Sequence, residues 1–376
     1  MHRSVVSLSL IVAACSSASG GGGARDGASG APDAGHAGKA DAKRGDASAP
    51  RADATRRDAR VVDSAADGGR ADGAASVSYT LRFVEGSAYL LYASVGGGTP
   101  HQVQLDTGSD GLYVPASVVG ASAQVSSTET CSITYISSGS SLSGHSATGP
   151  VTLLGSTTTG DVPAPPTTVP MTFCAVDDAS WTGGMMGVGF GRTASGPASN
   201  VLLQVQDIAA GRMRAGYVLS THPSPNVQIG VTSSRSAGFQ TVPLSASTTG
   251  NGDWDADSLE GCVALPGVAA FKQECGGLLV DTGVAETILW GPTDPTLGGL
   301  VASGQTSAPA GTAFDITTEA GPMLSFSFVL GSGADTPSAV DIKSASAFSV
   351  NTGRALLVDY DYLFDAEAGL VGFQRM

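Results

Sequence analysis

Asp-Thr-Gly occurs twice in this chain, as Asp106-Thr107-Gly108 within Val103-Gln-Leu-Asp-Thr-Gly-Ser109-Asp-Gly-Leu112-Tyr113-Val114 and as Asp281-Thr282-Gly283 within Leu278-Leu-Val-Asp-Thr-Gly-Val284-Ala-Glu-Thr-Ile288-Leu289. Each copy ends an apolar stretch with an acid. A carboxylate at the end of a buried strand is costly unless it is satisfied or used. The hydroxyl of the Thr can tie neighbouring loops together, and the Gly lets the chain turn sharply straight after the strand. The two acids stand 175 residues apart, a spacing that suggests two related lobes, each delivering one carboxylate to a shared site. Two carboxylates a few ångströms apart cannot both ionise easily, so they share a proton and can serve together as acid and base.

The elements that must position these acids read as strands. Gly, Ser, Thr and Val are plentiful and helix-forming Lys and Glu are scarce, which favours an all-β chain. Val77-Ser-Tyr79-Thr-Leu81-Arg-Phe83 alternates as a half-buried strand does and marks the start of the folded unit. One helix is expected from Asn200, as cap, through Val201-Leu-Leu-Gln-Val205-Gln-Asp-Ile208-Ala209 to a stop at Gly211.

Four further segments appear in order around the triplets. They are Tyr89-Leu-Leu-Tyr-Ala-Ser-Val95-Gly96-Gly-Gly-Thr99-Pro100, Ser132-Ile-Thr-Tyr135-Ile-Ser-Ser-Gly139-Ser-Ser-Leu-Ser-Gly144, Gly184-Met-Met-Gly187-Val-Gly189, and Tyr362-Leu-Phe-Asp365-Ala-Glu-Ala-Gly369-Leu-Val-Gly-Phe373. With the triplets they resemble the pepsin-like aspartic peptidases across residues 77 to 376. The resemblance implies an all-β, bilobal fold with a cleft between two related β lobes, 77–214 and 215–376. It implies Asp106 and Asp281 as the catalytic pair, with Thr107 and Thr282 bracing the loops and Gly108, Ser109 and Gly283 supporting them. Tyr135 stands at the flap tyrosine, and Tyr113 where the family usually has Trp. The implied partner is a polypeptide in the cleft, cleaved by a water held between the two acids with no cofactor and no metal; a monomer is expected. Gly187-Val-Gly189-Phe-Gly191 fits a support for the first catalytic loop and lacks the spacing and following helix of a dinucleotide loop.

Two departures stand out against that family. Val284 replaces the hydroxyl residue that normally follows the second triplet and donates to its acid, whereas Ser109 keeps that donor in the first. Asp281 is therefore expected to lack a hydrogen bond and to hold the shared proton. Asn351-Thr352-Gly353-Arg354 stands where the second lobe usually has two apolar residues, Gly and an acid. The alternative to a peptidase is a catalytically silent pepsin-fold lipoprotein that binds a ligand or inhibits a foreign enzyme, since fold alone does not imply function.

Charge excludes one class of partner. Residues 77 to 376 hold 24 Asp and Glu against 9 Lys and Arg, and only Lys272 and Lys343 among the latter are lysines. Nucleic acid is not expected, because phosphate binding needs clustered positive charge. The five His are scattered and no Cys-x-x-Cys occurs, so no metal site is expected. Cys131, Cys174, Cys262 and Cys275 form an even set suited to an oxidising compartment. Three pairings are open, and the within-lobe one, Cys131 with Cys174 and Cys262 with Cys275, is favoured by the bilobal resemblance.

The N-terminal region reads as an export and anchoring device. Arg3 precedes an apolar run from Val5 to Ala14, shorter than a bilayer span. The run ends Leu10-Ile-Val-Ala-Ala-Cys15, which resembles a bacterial lipobox. Residues 1–15 are thus expected to be a lipoprotein signal peptide with Cys15 lipidated; a plain signal peptide is the alternative. Ser16 after the Cys favours an outer-membrane address. Residues 16–76 carry nine basic and nine acidic residues and no aromatics, the composition of a flexible tether with a reach of roughly 40 Å. It contains no apolar segment able to plug a cleft, so no zymogen step is expected.

Overall fold

The structure, a computed structural model, describes residues 78–376 apart from 136, 269–270, 272, 293–305 and 319–323. The leader with Cys15, the tether 16–76 and Val77 lie outside the described residues. The architecture is all-β, in three sheets.

The first lobe is a nine-stranded sheet. In it the strand Tyr89–Val95 alternates buried Tyr89, Leu91, Ala93 and Val95 with half-buried neighbours, and pairs antiparallel with His101–Asp106. Asp106 ends that strand, and Asp110–Pro115 leads away from it. Between the two runs Met185–Val188, parallel to the first and antiparallel to the second, with Gly187 opposite both Asp106 and Gly111.

The second lobe repeats the device. Its seven-stranded sheet holds Glu274–Leu279 before Asp281 and Thr287–Gly291 after it. Ser349–Asn351 lies between them, parallel to one and antiparallel to the other, with Asn351 opposite Leu279 and Ile288. A central strand parallel to one neighbour must be reached by a long crossover. Each acid is thereby framed by chain from far along the sequence.

The third sheet draws on both ends of the described chain. Its six strands run in the order Tyr79–Arg82, Asn226–Ile229, Gly216–Ser220, Tyr360–Asp365, Leu370–Arg375, Gln240–Pro243. All five residues of Gly216–Ser220 are buried, as befits a strand covered on both faces. This sheet packs beneath the first acid's support: Tyr217 Oη donates to Val188 O at 2.8 Å, and Phe190 stacks on Phe364 at 4.8 Å. Where the chain enters the sheet, Arg214 pairs with buried Asp365 at 2.9 Å.

The expected helix over 200–209 is not continuous. Val201–Gln204 is a 3-10 turn, Val205 is extended, and Gln206–Ala209 is a single α turn. The break has a tertiary cause: Val205 forms a β-bridge with Thr168, and Val169 N donates to Gln204 O at 2.9 Å. Sheet pairing there outweighs a helix too short to be stable alone. Asn200 does cap the first turn, accepting from Leu202 N at 3.1 Å.

Both within-lobe disulfides are formed. Cys262 and Cys275 are directly opposed on antiparallel strands. Cys131 and Cys174 join the outer hairpin strand Gln124–Thr134 to Met171–Val176. Closing loops of 13 and 43 residues is worth about 3 and 4 kcal/mol respectively by chain entropy. No helix among the described residues is long and apolar enough to cross a membrane.

Candidate active site

The two triplets meet back to back. Thr107 N donates to Thr282 Oγ1 at 3.0 Å and Thr282 N to Thr107 Oγ1 at 3.0 Å. Each hydroxyl in turn donates to a carbonyl of the opposite lobe, Thr107 to Val280 O and Thr282 to Leu105 O, both at 2.6 Å. Four buried backbone groups are satisfied by two side chains, and both Thr are buried. Such a fully satisfied network fixes the relative position of the loops.

That brace holds the carboxylates against each other. Asp106 and Asp281 are 4 % and 6 % exposed. A side-chain carbon added at Gly108 would fall 2.3 Å from Asp281 Cγ; one at Gly283 would fall 2.6 Å from Asp106 Oδ1 and 2.8 Å from Asp281 Oδ1. One atom at Gly283 would therefore touch both acids. The Gly of each triplet is needed for this close approach, beyond its freedom to turn.

Hydrogen bonds to the pair are matched by number but not by chemistry. Asp106 Oδ1 accepts Gly108 N at 2.8 Å, and its Oδ2 accepts Ser109 Oγ at 2.5 Å. Asp281 Oδ1 accepts Gly283 N at 2.8 Å, and its Oδ2 accepts Asn351 Nδ2 at 2.6 Å. This corrects the expectation drawn from Val284: Asp281 does not lack its second donor, because an amide from the inserted strand supplies it. Asn351, a departure in sequence, is thus a functional candidate that sequence reasoning missed. Its Oδ1 also accepts Gly353 N at 2.8 Å, which orients the amide. Burial first, and then the charge of Asp106, still push the Asp281 carboxyl well above the usual carboxylate range, with Asn351 and Gly283 N opposing the shift.

Replacing Asn351 by Leu removes that opposing bond. The Asp281 anion becomes less favoured, the upper apparent pKa of the coupled pair rises, and the alkaline limb of any dyad-dependent reaction moves to higher pH. A hydrogen bond to a charged group is worth enough to shift the limb by about one pH unit. The limb of kcat/KM against pH in Asn351→Leu is the measurement; an unmoved or acid-shifted limb contradicts the assignment.

Tyr135, which feels the charge of Asp106, stands at the turn of the hairpin of Gln124–Thr134 and Ser141–Gly149. Its turn is closed by Tyr135 N to Ser140 O at 2.8 Å and Gly139 N to Tyr135 O at 2.7 Å. Tyr135 meets Tyr113 edge to face, centroids 6.5 Å apart. The buried Tyr135 hydroxyl has no hydrogen-bond partner among the described residues. Burial and then the charge of Asp106 raise its pKa, keeping it a neutral donor. Tyr113 also lines a cavity of about 430 Å³ with Phe173, Gln204 and the Cys131–Cys174 bridge.

Other polar contacts join the lobes around the pair. Gln104 Nε2 donates to Gly283 O at 2.7 Å. Arg354 donates to Ser87 O and lies over the Tyr89 ring at 5.9 Å. Beneath the first loop, buried Asp110 and Asp253 accept Arg192 N and Gly191 N at 3.1 and 2.7 Å. Burial and the neighbouring Asp253 push Asp110 up to about 6.

No family model matches the chain, and no curated protein does either. Among solved structures it is similar to the aspartic proteinase from Irpex lacteus, with a TM-score of 0.55 over 80 % of this chain and 98 % of that one. The two share 15 % of their residues. The likeness is one of fold: bilobal, all-β and pepsin-like.

Proposed function

We propose that this chain is an aspartic endopeptidase, hydrolysing peptide bonds in the cleft between lobes 77–214 and 215–376. The observation that carries this reading is the pair of buried carboxylates held so closely that one added atom at Gly283 would touch both. Asp106, with donors from Gly108 N and Ser109 Oγ, serves as the base. Asp281, which burial and Asp106 make hard to ionise, holds the proton. A water between them gives a proton to Asp106 as its oxygen attacks the peptide carbon, and Asp281 donates to the carbonyl oxygen. The tetrahedral intermediate collapses as a proton passes to the leaving nitrogen. Tyr135, neutral and unpaired, donates to the bound chain and covers it, and Tyr113 backs it.

Cleavage of a denatured protein by the full-length chain across acidic to neutral pH, with and without a transition-state analogue of peptide hydrolysis, tests the reading. Inhibitable cleavage is the expected result. Binding of the analogue without any cleavage would favour a silent binding module.

The same reading places the domain on a membrane through a lipid on Cys15. Cys15→Ser is expected to move the protein from the membrane fraction to the soluble or unprocessed fraction with the domain still folded, because a thioether-linked lipid needs the thiol. Mass spectrometry of the mature N-terminus is the check. A free terminus at any other residue contradicts it.

A further inference from the structure

Lys343 sits on the strand Val340–Ser344, at the edge of the second lobe's sheet. It is register partner to Trp290, and its Nζ lies 5.9 Å from that ring's centroid. The half-buried stem thus runs along an aromatic face that favours its charge. From there Nζ crosses to the first lobe and donates to Ser137 O at 2.5 Å. Ser137 belongs to the turn of the hairpin that carries Tyr135. That hairpin is stapled by Cys131–Cys174 at the point where it leaves Met171–Val176, Gly144 being opposite both Cys131 and Val176. One arm is therefore fixed at its base by a covalent bond and at its tip by an ammonium from the opposite lobe.

The position of this contact relative to the acids follows from register. Asn351, which touches Asp281, is opposite Ile288, and Ile288 is opposite Asp341. Lys343 stands two residues further along the same edge strand, on the side where the hairpin tip comes down. A chain that enters beneath the hairpin tip meets this ammonium where Ser137 O now holds it.

We propose that Lys343 is a specificity-determining latch: it holds the hairpin tip over the cleft and exchanges Ser137 O for an acidic side chain of the bound polypeptide. The proposal rests on the endopeptidase reading only in giving the cleft a polypeptide occupant. A carboxylate is a stronger acceptor for an ammonium than a neutral peptide oxygen, so exchange to Glu or Asp is favourable. Exchange to Gln is near neutral, and a Lys or Arg at that substrate position is repelled. The surrounding domain is strongly acidic and would by itself favour basic peptides. A local preference for acid at one position is thus the reverse of what net charge alone gives.

The test uses full-length protein carrying Asp106→Asn, so that binding is read without turnover. Labelled peptides differing only in Glu, Gln or Lys at successive positions are titrated against that protein and against the same protein with Lys343→Met, Lys343→Arg or Lys343→Glu. At one position Glu is expected to bind about tenfold more tightly than Lys. Lys343→Arg keeps the order, Lys343→Met flattens it, and Lys343→Glu inverts it. In parallel, amide hydrogen exchange of residues 137–143 without peptide is expected to quicken in Lys343→Met, whose apolar stem still covers Trp290. An unchanged Glu-to-Lys ratio in Lys343→Met and Lys343→Glu, or unchanged exchange at the tip, overturns the proposal. Charge-dependent binding with no cleavage by the chain bearing Asp106 would leave the latch standing and overturn the peptidase reading alone.

Discussion

Asp106→Asn and Asp281→Asn are each expected to lower kcat/KM on a polypeptide by about 10³- to 10⁴-fold, with the fold intact. In the proposed mechanism the two acids act as one unit: the first loss removes the base, the second removes the proton donor, and neither remaining carboxylate can take both parts. The two substitutions differ in stability, which separates a chemical effect from a structural one. The Asp281 carboxyl is raised above its unfolded value by burial and by Asp106. A group with a raised folded pKa contributes stability that is fully present below the unfolded pKa and is lost as pH rises through the folded one. Asn at 281 cannot ionise and so escapes that loss. Thermal unfolding should show Asp281→Asn gaining on the unsubstituted protein between acidic and neutral pH, with the gain vanishing below about pH 4, where both forms are neutral. A single variant keeping more than a few per cent of activity contradicts the shared-dyad mechanism, and a pH-independent difference in melting temperature contradicts the assignment of the proton to Asp281.

The second large effect is expected at the brace between the loops. Thr107→Val keeps the shape of the side chain but strips its hydroxyl from Val280 O and Thr282 N, which it serves at 2.6 and 3.0 Å. Two buried backbone groups lose their partner, and each costs about 1–3 kcal/mol. Destabilisation of about 2–6 kcal/mol follows, measurable as a fall in the urea midpoint. Thr282→Val should match it by the symmetry of the contacts, whereas Thr107→Ser, which retains the hydroxyl, should lie within about 1.5 kcal/mol of the original. Because both hydroxyls belong to one network, the double variant should cost less than the two singles together. Strict additivity would mean that the loops are held independently.

Residues adjacent in sequence were the ones whose place in the site could be read before the structure. The acid, hydroxyl and glycine of each triplet act within a few positions of one another, and the apolar runs before them declare buried strands. Tyr135 and Tyr113 were placed by the family resemblance, Tyr135 at the turn between Gln124–Thr134 and Ser141–Gly149 and Tyr113 on Asp110–Pro115. Asn351 was hidden for the opposite reason. Val284 looks like a lost donor when the loop alone is read, but the oxygen of Asp281 is met in space by a strand 70 residues further on. Lys343 was hidden in the same way, since its partner Ser137 lies 206 residues before it. The helix expected over 200–209 failed at Val205 because a β-bridge to Thr168, invisible to helical periodicity, competes for that residue. Local chemistry is legible from one sequence; compensation across strands is not.

The six-stranded sheet imposes an order on assembly. Its first strand, Tyr79–Arg82, pairs with Asn226–Ile229, and its fourth and fifth are the last two described strands. Phe364 and Tyr362, which pack on Tyr217 under the first acid's support, stand 147 and 145 residues after it. Contacts this distant in sequence make folding slow and non-vectorial. A nascent chain presenting both acids still lacks the floor on which they rest. The pair of acids is thus underpinned by chain that follows both of them in sequence, and a variant lacking Tyr360–Asp365 and Leu370–Arg375 would carry both acids without the support beneath them.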